Sequence, residues 1–310
     1  SASPRRATID ALVPGQRYYV RVIAVNTYGA GAPSWWHEVT PGPQSEGGTE
    51  CPLPTYPTTG CTGTHTSSGL RMHQGDLYIR EAGAIIDGWH ITGRVVVEAT
   101  GVVIRNSIIE GFVQPGWRVE SSFTLEDTTI GREGTCFSGP AISDSDFTAR
   151  RVRVIGFTDG FHVTGSNVLI EHSYVTVCQS GCTHSDGIQA YNAADAKNIV
   201  IRHNVIDMRS VTDACAANCP IFLPTDSNPG IEAVIEYNVL AGGQSALCLH
   251  PGPGTGSFTS ITGNRVVANT THFNPMSVNC ATVGVWRDND LVTYDWVNGR
   301  VLSRVQALAC

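Results

Sequence analysis

Apolar and polar positions alternate along this chain in short runs. From residue 102 onward they recur as VVIRNSII, FTLEDTTI, FTARRVRVI, VLIEHSYV, IVIRHNVI, AVIEYNVL and ITGNRVV, each an alternating strand closed by a small or polar residue. Alternation with period two places every second side chain on one face of a strand. Taking Ser107, Thr128, Val152, Ser173, Asn204, Asn238 and Asn264 as equivalent gives intervals of 21, 24, 21, 31, 34 and 26 residues, the spacing of successive coils in a solenoid. Stacked coils lie about 4.8 Å apart, so residues one interval apart become neighbours. Asn204, Asn238 and Asn264 are therefore expected to form a hydrogen-bonded ladder at one corner.

A second strand per coil is read in DGWHITG at 87, DGFHVTG at 159, DGIQAYN at 186, PIFLPTD at 220 and SALCLHP at 245. Alternation sends Trp89, Phe161, Ile188, Ile221, Leu223, Leu247 and Leu249 inward. It leaves His162, Gln189, Phe222 and Cys248 as one outward column and Thr164, Tyr191, Pro224 and His250 as the next. The extra residues of the two longest intervals fall in VCQSGCTHS and MRSVTDACAANC, which are expected to wall these columns.

Coils of this length with an asparagine ladder resemble the pectate-lyase-like superfamily. The fold class expected is all-β, a right-handed parallel β-helix solenoid over residues 75–310. Residues 1–41 include ATIDALVPGQRYYVRVIAVNTYGAGAPS, whose Leu12-x-Pro14-Gly15 corner and following alternation resemble the last strands of a fibronectin type III domain. With the earlier strands missing, the piece is expected to be a truncated spacer. Residues 42–74, rich in Pro, Gly, Ser and Thr, read as a linker or N-terminal cap.

Composition narrows the function classes. The 33 glycines, the many Val, Ile, Thr and Asn and a single lysine, Lys197, favour short strands and turns over long helices. A net charge of -7 gives no basic footprint for nucleic acid, although the arginines can still pair locally with carboxylates. No run is apolar enough to span a bilayer, and a monomer is expected. Ser1 opens no signal-peptide pattern, so a mature form or a fragment is expected. Ten cysteines without tetrahedral zinc spacing point to disulfides and a secreted, extracellular protein. Cys51/Cys61, Cys178/Cys182 and Cys215/Cys219 each close a short loop and are the pairs expected locally.

The densest chemistry lies on the second strand and the turn leading into it. The candidate catalytic residues are Asp159, His162, His184, Asp186, Tyr191 and His250, with Asp144, Gln189, Phe222 and Asp226 as candidate substrate contacts. Two carboxylates in one cleft suit glycoside hydrolysis, one kept protonated and the other ionised. Elimination on a uronate polymer instead needs a base for the C5 proton, for which a His/Tyr pair serves, or a calcium-assisted arrangement. Trp117, Phe222 and Tyr191 are candidate sugar platforms. Against these stands a plain alternative, that D-G before a strand is a common turn dipeptide whose Asp caps a corner. Parity allows Asp159 and Asp186 to point inward. His172 and His203, in a column with Asn106 and Tyr237 beside the ladder, read as structural or solvated. His162, His184, Asp186 and His250 include metal-ligand types but form no fixed local signature, and calcium held by Asp carboxylates and loop carbonyls is the more ordinary ion for this architecture.

The expectation is an extracellular polysaccharide-degrading enzyme bound along the second strand, with hydrolysis placed ahead of elimination. A non-catalytic glycan-binding or adhesin solenoid is the rival.

Overall fold

The computed structural model describes residues 17–23, 25–26, 29–31, 33–34, 37–39, 51–65, 68–117, 119–190, 196–224, 231–250 and 258–310. Two units are distinguished, residues 1–47 and residues 48–310. The described part of the first holds two antiparallel pairs, Tyr18–Val20 with His37–Val39 and Val25–Asn26 with Gly29–Ala30. The alternation expected to carry one strand through Ala24 stops at Val20, and residues 21–23 are exposed. The Leu12-x-Pro14-Gly15 motif lies outside the described residues.

The second unit is a parallel β-helix. Among the described residues its strands form three sheets of nine, eleven and nine strands. The first runs from Ile85–Asp87 to Val283–Arg287, the second from Arg71–His73 to the closing strand Arg300–Ala307, and the third from Leu77–Ile79 to Met276–Val278. Each coil thus has three strands, where the sequence suggested two. VVIRNSII is the reason: Val102–Arg105 belongs to the first sheet and Ile108–Ile109 to the second, and only Asn106 and Ser107 turn the corner. A corner that short requires a left-handed residue. Asn106, Asp127, Arg151, His172, His203, Tyr237 and Asp288 all have φ between 46° and 55°, a conformation that Asn and Asp tolerate best.

The expected coil register is observed. Ile108 pairs with Thr129, Thr129 with Arg153, Arg153 with Tyr174, Tyr174 with Val205, Val205 with Val239 and Val239 with Arg265, each directly after an expected ladder position. Asn204, Asn238, Asn264 and, one coil further, Asn289 form the ladder. Each Nδ2 donates to a carbonyl of the preceding coil, those of Ile170, Ile201, Ile235 and Ile261. Asn238 Oδ1 accepts from both the backbone N–H and the Nδ2 of Asn204, each at 3.0 Å. Beside it, on the outer face of the first sheet, Glu126, Arg150, Glu171, Arg202 and Glu236 alternate in charge and in register. Burial pushes the Glu171 carboxyl up, but hydrogen bonds from Arg150 and Arg202 outweigh that and hold it below the usual range.

Inside, Phe123 stacks on Phe147 of the next coil with ring centroids 5.5 Å apart, and Phe147 faces Phe161 of the third sheet at 6.2 Å. A second apolar cluster lies outside the second sheet, where Tyr174, Val205 and Val239 are covered by Tyr56 and Tyr294. Tyr56 belongs to residues 51–65, which pack along the solenoid: Tyr56 N–H donates to Gly299 O, Gly63 N–H to Arg151 O and Thr64 N–H to Thr129 Oγ1.

Two expectations are corrected. DGWHITG does not belong with DGFHVTG, because Trp89–Ile91 pairs with Ile108–Ile109 in the second sheet. Of the local disulfides only Cys51–Cys61 forms; the others are Cys136–Cys178, Cys182–Cys215, Cys219–Cys248 and Cys280–Cys310. Three of these pairs are about one coil apart in sequence and Cys136–Cys178 spans two intervals, with Cα atoms 5.0 to 6.1 Å apart in the four. Each such staple closes a long loop, worth about 3–4 kcal/mol in the chain-entropy account.

Two outcomes are expected. Asn238→Ala removes the acceptor of the buried Asn204 N–H, one of the two acceptors of Asn204 Nδ2 and a donor to Ile201 O, so urea denaturation should show a loss of roughly 1–3 kcal/mol. His203 donates Nε2–H to Thr55 O at 3.0 Å and its Nδ1 meets His172 Nδ1 at 2.7 Å. Burial and the His172 ring push it down to about 4, and burial lowers His172 as well. Unfolded histidines take up a proton near about 6.5, so this stability is complete above that pH and is lost as pH falls from about 6.5 through about 4. The urea midpoint should drop across that window, and His203→Gln should flatten the drop.

Candidate functional site

The third sheet positions the candidates. His162 pairs with Gln189, Gln189 with Phe222, Phe222 with Cys248 and Cys248 with Ser277, while Ser143 precedes His162 in the same column. The outward column is therefore as expected, and His162, Gln189 and Phe222 on it are half-buried. Below them Phe161, Ile188, Ile221 and Leu247 fill the core. The loops expected as a wall are stapled to neighbouring coils by Cys136–Cys178, Cys182–Cys215 and Cys219–Cys248.

Asp159 and Asp186 follow the parity of Phe161 and Ile188, two residues further along each strand, and turn away from the outer face. They are stacked in register at the corner leading into the third sheet. Asp159 Oδ1 accepts the N–H of Asp186 at 2.9 Å; Asp186 Oδ1 accepts the N–H of Cys219 at 3.0 Å, and its Oδ2 accepts Asn218 Nδ2 at 3.1 Å. This is a second corner ladder, built from carboxylates. The glycine after each Asp is required by closeness: a Cβ on Gly160 would strike Gly187 O and Val175, and one on Gly187 would strike Ile206 and Pro220 O. The D-G pairs thus serve the corner.

The two carboxylates differ in reach. Asp186 is 0% exposed, and burial, with the nearby Asp159 charge adding to it, pushes its carboxyl well above the ordinary range despite the Cys219 and Asn218 hydrogen bonds. Asp159 is 8% exposed. Its Oδ2 lies 3.3 Å from His162 Nε2, within ion-pair distance, but that buried nitrogen makes no hydrogen bond. With the proton on Nε2, on the carboxylate side, the lone pair is on Nδ1.

The remaining candidates are dispersed. His184 is exposed in the stapled loop, with φ 50°, and makes no hydrogen bond or ion pair among the described residues. Asp144 is exposed one coil before His162; its Oδ1 accepts Thr164 Oγ1 at 2.5 Å, and it lines a 440 Å³ cleft with Glu120 and Asp146. Trp117, 86% exposed, follows the third-sheet strand Val113–Pro115. His250 ends Leu247–His250 and pairs with Pro224 through the backbone; its side chain lies outside what is described. Tyr191 and Asp226 lie outside the described residues. Asn218 and Cys219, which hold Asp186, were not among the sequence candidates. Counting two back from the inward Phe161 and Ile188 would have placed both Asp side chains at the corner.

One group of metal-ligand type is close enough to hold an ion among the described residues, Cys182, Asp213 and Cys215. Its two cysteines are bonded to each other, so the residues do not fit a metal and offer calcium no oxygen cage. No family model, curated protein or solved structure matches the chain.

Asn at position 186 preserves the acceptor for Cys219 without a titrating group. Because the folded carboxyl is raised, the stability that Asp186 contributes is full below the ordinary value of about 3.9 and is lost as pH rises through its higher folded value. Asp186→Asn should therefore match or exceed the wild type in thermal stability at pH 8. Asp186→Ala, which orphans the buried Cys219 N–H, should cost about 1–3 kcal/mol.

Proposed function

We propose that this protein is an extracellular enzyme that cleaves a uronate-containing polysaccharide by β-elimination on the outer face of the third sheet. The observation that carries the proposal is the 3.3 Å contact between His162 of the outward column and Asp159 beneath it, beside a second carboxylate, Asp186, that is withdrawn from the surface. Hydrolysis between Asp159 and Asp186 would need both groups at the sugar, and Asp186 is closed off by its ladder bonds. An imidazole oriented by a carboxylate is the arrangement of a base.

In this mechanism His162 Nδ1 takes the C5 proton, the released pair forms the C4–C5 double bond, and the C4–O bond breaks. The leaving oxygen then takes up a proton. Asp159 positions the ring and balances the imidazolium charge. Gln189 and Phe222, in the next two coils at steps of about 4.8 Å, offer an amide and an aromatic face to flanking sugars. Five disulfides suit an oxidising, extracellular setting. A second reading, glycan binding without cleavage, is favoured by the structural use of the Asp159–Asp186 ladder.

The test is product analysis on neutral and uronate-containing polysaccharides, with and without chelator. Unsaturated products are expected from uronate polymers, with the rate falling about 10²–10⁴-fold in His162→Ala. New reducing ends without unsaturation would replace elimination by hydrolysis. Binding without any product would establish the second reading.

A further inference from the structure

At the corner between the first and second sheets, on a different face from the third-sheet column, a cleft of 790 Å³ opens between residues 53–56 and the strand Arg300–Ala307. We propose that this cleft is a second carbohydrate site, one that takes an acidic sugar unit of the polymer cleaved on the third sheet. The proposal rests on the uronate reading above and extends it to a part of the molecule that the chemistry does not use.

Two features of the cleft point to that ligand. The first is an aromatic platform with a fixed position. Tyr237 lines the cleft, is 38% exposed and sits at a corner with φ 55°. Its ring lies on Gly263, where an added Cβ would fall 2.5 Å from Tyr237 Cδ1. Tyr56 contributes a second, buried ring. A rigid aromatic surface suits the C–H face of a sugar and holds it at small entropic cost.

The second feature is surplus positive charge in a chain whose net charge is -7. Arg265, Arg300 and Arg304 line the cleft with one carboxylate, Asp290. Asp290 is shared: Oδ2 lies 3.0 Å from Arg265 Nη1, and Oδ1 accepts Arg304 Nε at 2.6 Å. Arg300 makes no ion pair among the described residues. Asp295, opposite it across the hairpin, spends its carboxylate on the Asn298 side chain and the N–H groups of Val297 and Asn298. Three guanidinium groups against Asp290 and the Asp295 carboxylate, which the Arg300 charge helps hold low, leave a surplus of one, and the guanidinium fork matches a carboxylate bidentately. An aromatic face beside such forks fits a uronate better than a neutral sugar, which leaves the cations uncompensated, or a bare anion, which leaves the ring uncovered. A chain held here and on the third sheet would gain residence through a second point of attachment.

The test is calorimetric titration of the full chain with trigalacturonate, with a neutral galactose trimer and with inorganic sulfate. It is run in the His162→Ala background so that no cleavage interferes. Saturable binding of trigalacturonate is expected, weakened at least tenfold by adding Arg300→Gln or Tyr237→Ala, with no binding of the neutral trimer. Binding that is absent, or unchanged in both added variants, would overturn the proposal. Sulfate competing on equal terms with the trimer would also overturn it, leaving only an anion patch. Arg300→Gln alone should leave unsaturated product formation from short substrates intact, so loss of that activity in His162→Ala and loss of binding in Arg300→Gln report on the two readings separately.

Discussion

Each coil of this solenoid leaves a row of backbone N–H and C=O groups open until the next coil stacks on it in register, and the rest of the structure depends on that stacking. Parallel pairing joins every coil to its neighbours in three sheets. A slip by one residue would turn the core side chains outward on every strand. Register is therefore reinforced wherever the chain bends. The asparagine ladder fixes the first corner, alternating Glu and Arg fix the adjoining face, and disulfides one coil apart fix the loops. At the last coil, where stacking must stop, Arg300–Ala307 turns back antiparallel on Asp290–Asp295 and Cys280–Cys310 ties the end down. That antiparallel strand takes the end of the second sheet out of the parallel register on which another coil would stack.

The same constraint sorts the candidate chemistry. Asp159 and Asp186 look alike in sequence, each followed by Gly and then a core residue, and stacking makes them neighbours. Two carboxylates stacked at a dry corner cannot both be charged and accessible. Asp186, with Cys219 and Asn218 above it, becomes a ladder rung, while Asp159 keeps a contact with the outward-facing His162. The group proposed as the base is thus the one whose parity faces solvent, with Asp159 beside it.

Legibility followed the same physics. The seven ladder positions could be read because polar or small residues recur at one point of a coil whose flanks are strongly apolar; only Asn289, after the irregular run ITGNRVV, escaped. The outward column from His162 to Cys248 followed from period two alone. The number of strands per coil did not, since a two-residue corner at Asn106 and Ser107 leaves no polar gap between the first and second sheets. The disulfides misled because nearness along the chain is not nearness between coils: Cys178 lies four residues from Cys182, yet it bonds to Cys136, 42 residues and two coil intervals earlier. Residues 51–65 carried linker composition but hold Tyr56, whose burial against Tyr294 and His203 depends on contacts distant in sequence.

The central claim is that stacking has turned Asp186 into a buried ladder rung whose carboxyl is pushed above the ordinary range and left the Asp159–His162 contact as the proposed chemistry of the outer face. Its most direct test is a carbon-13 NMR titration of the aspartate carboxyl groups in the intact protein. The account requires the Asp186 signal to stay in its protonated position well above the pH at which exposed aspartates ionise, without the downfield shift that they show near about 3.9. An Asp186 carboxyl that titrates together with the exposed aspartates would contradict it.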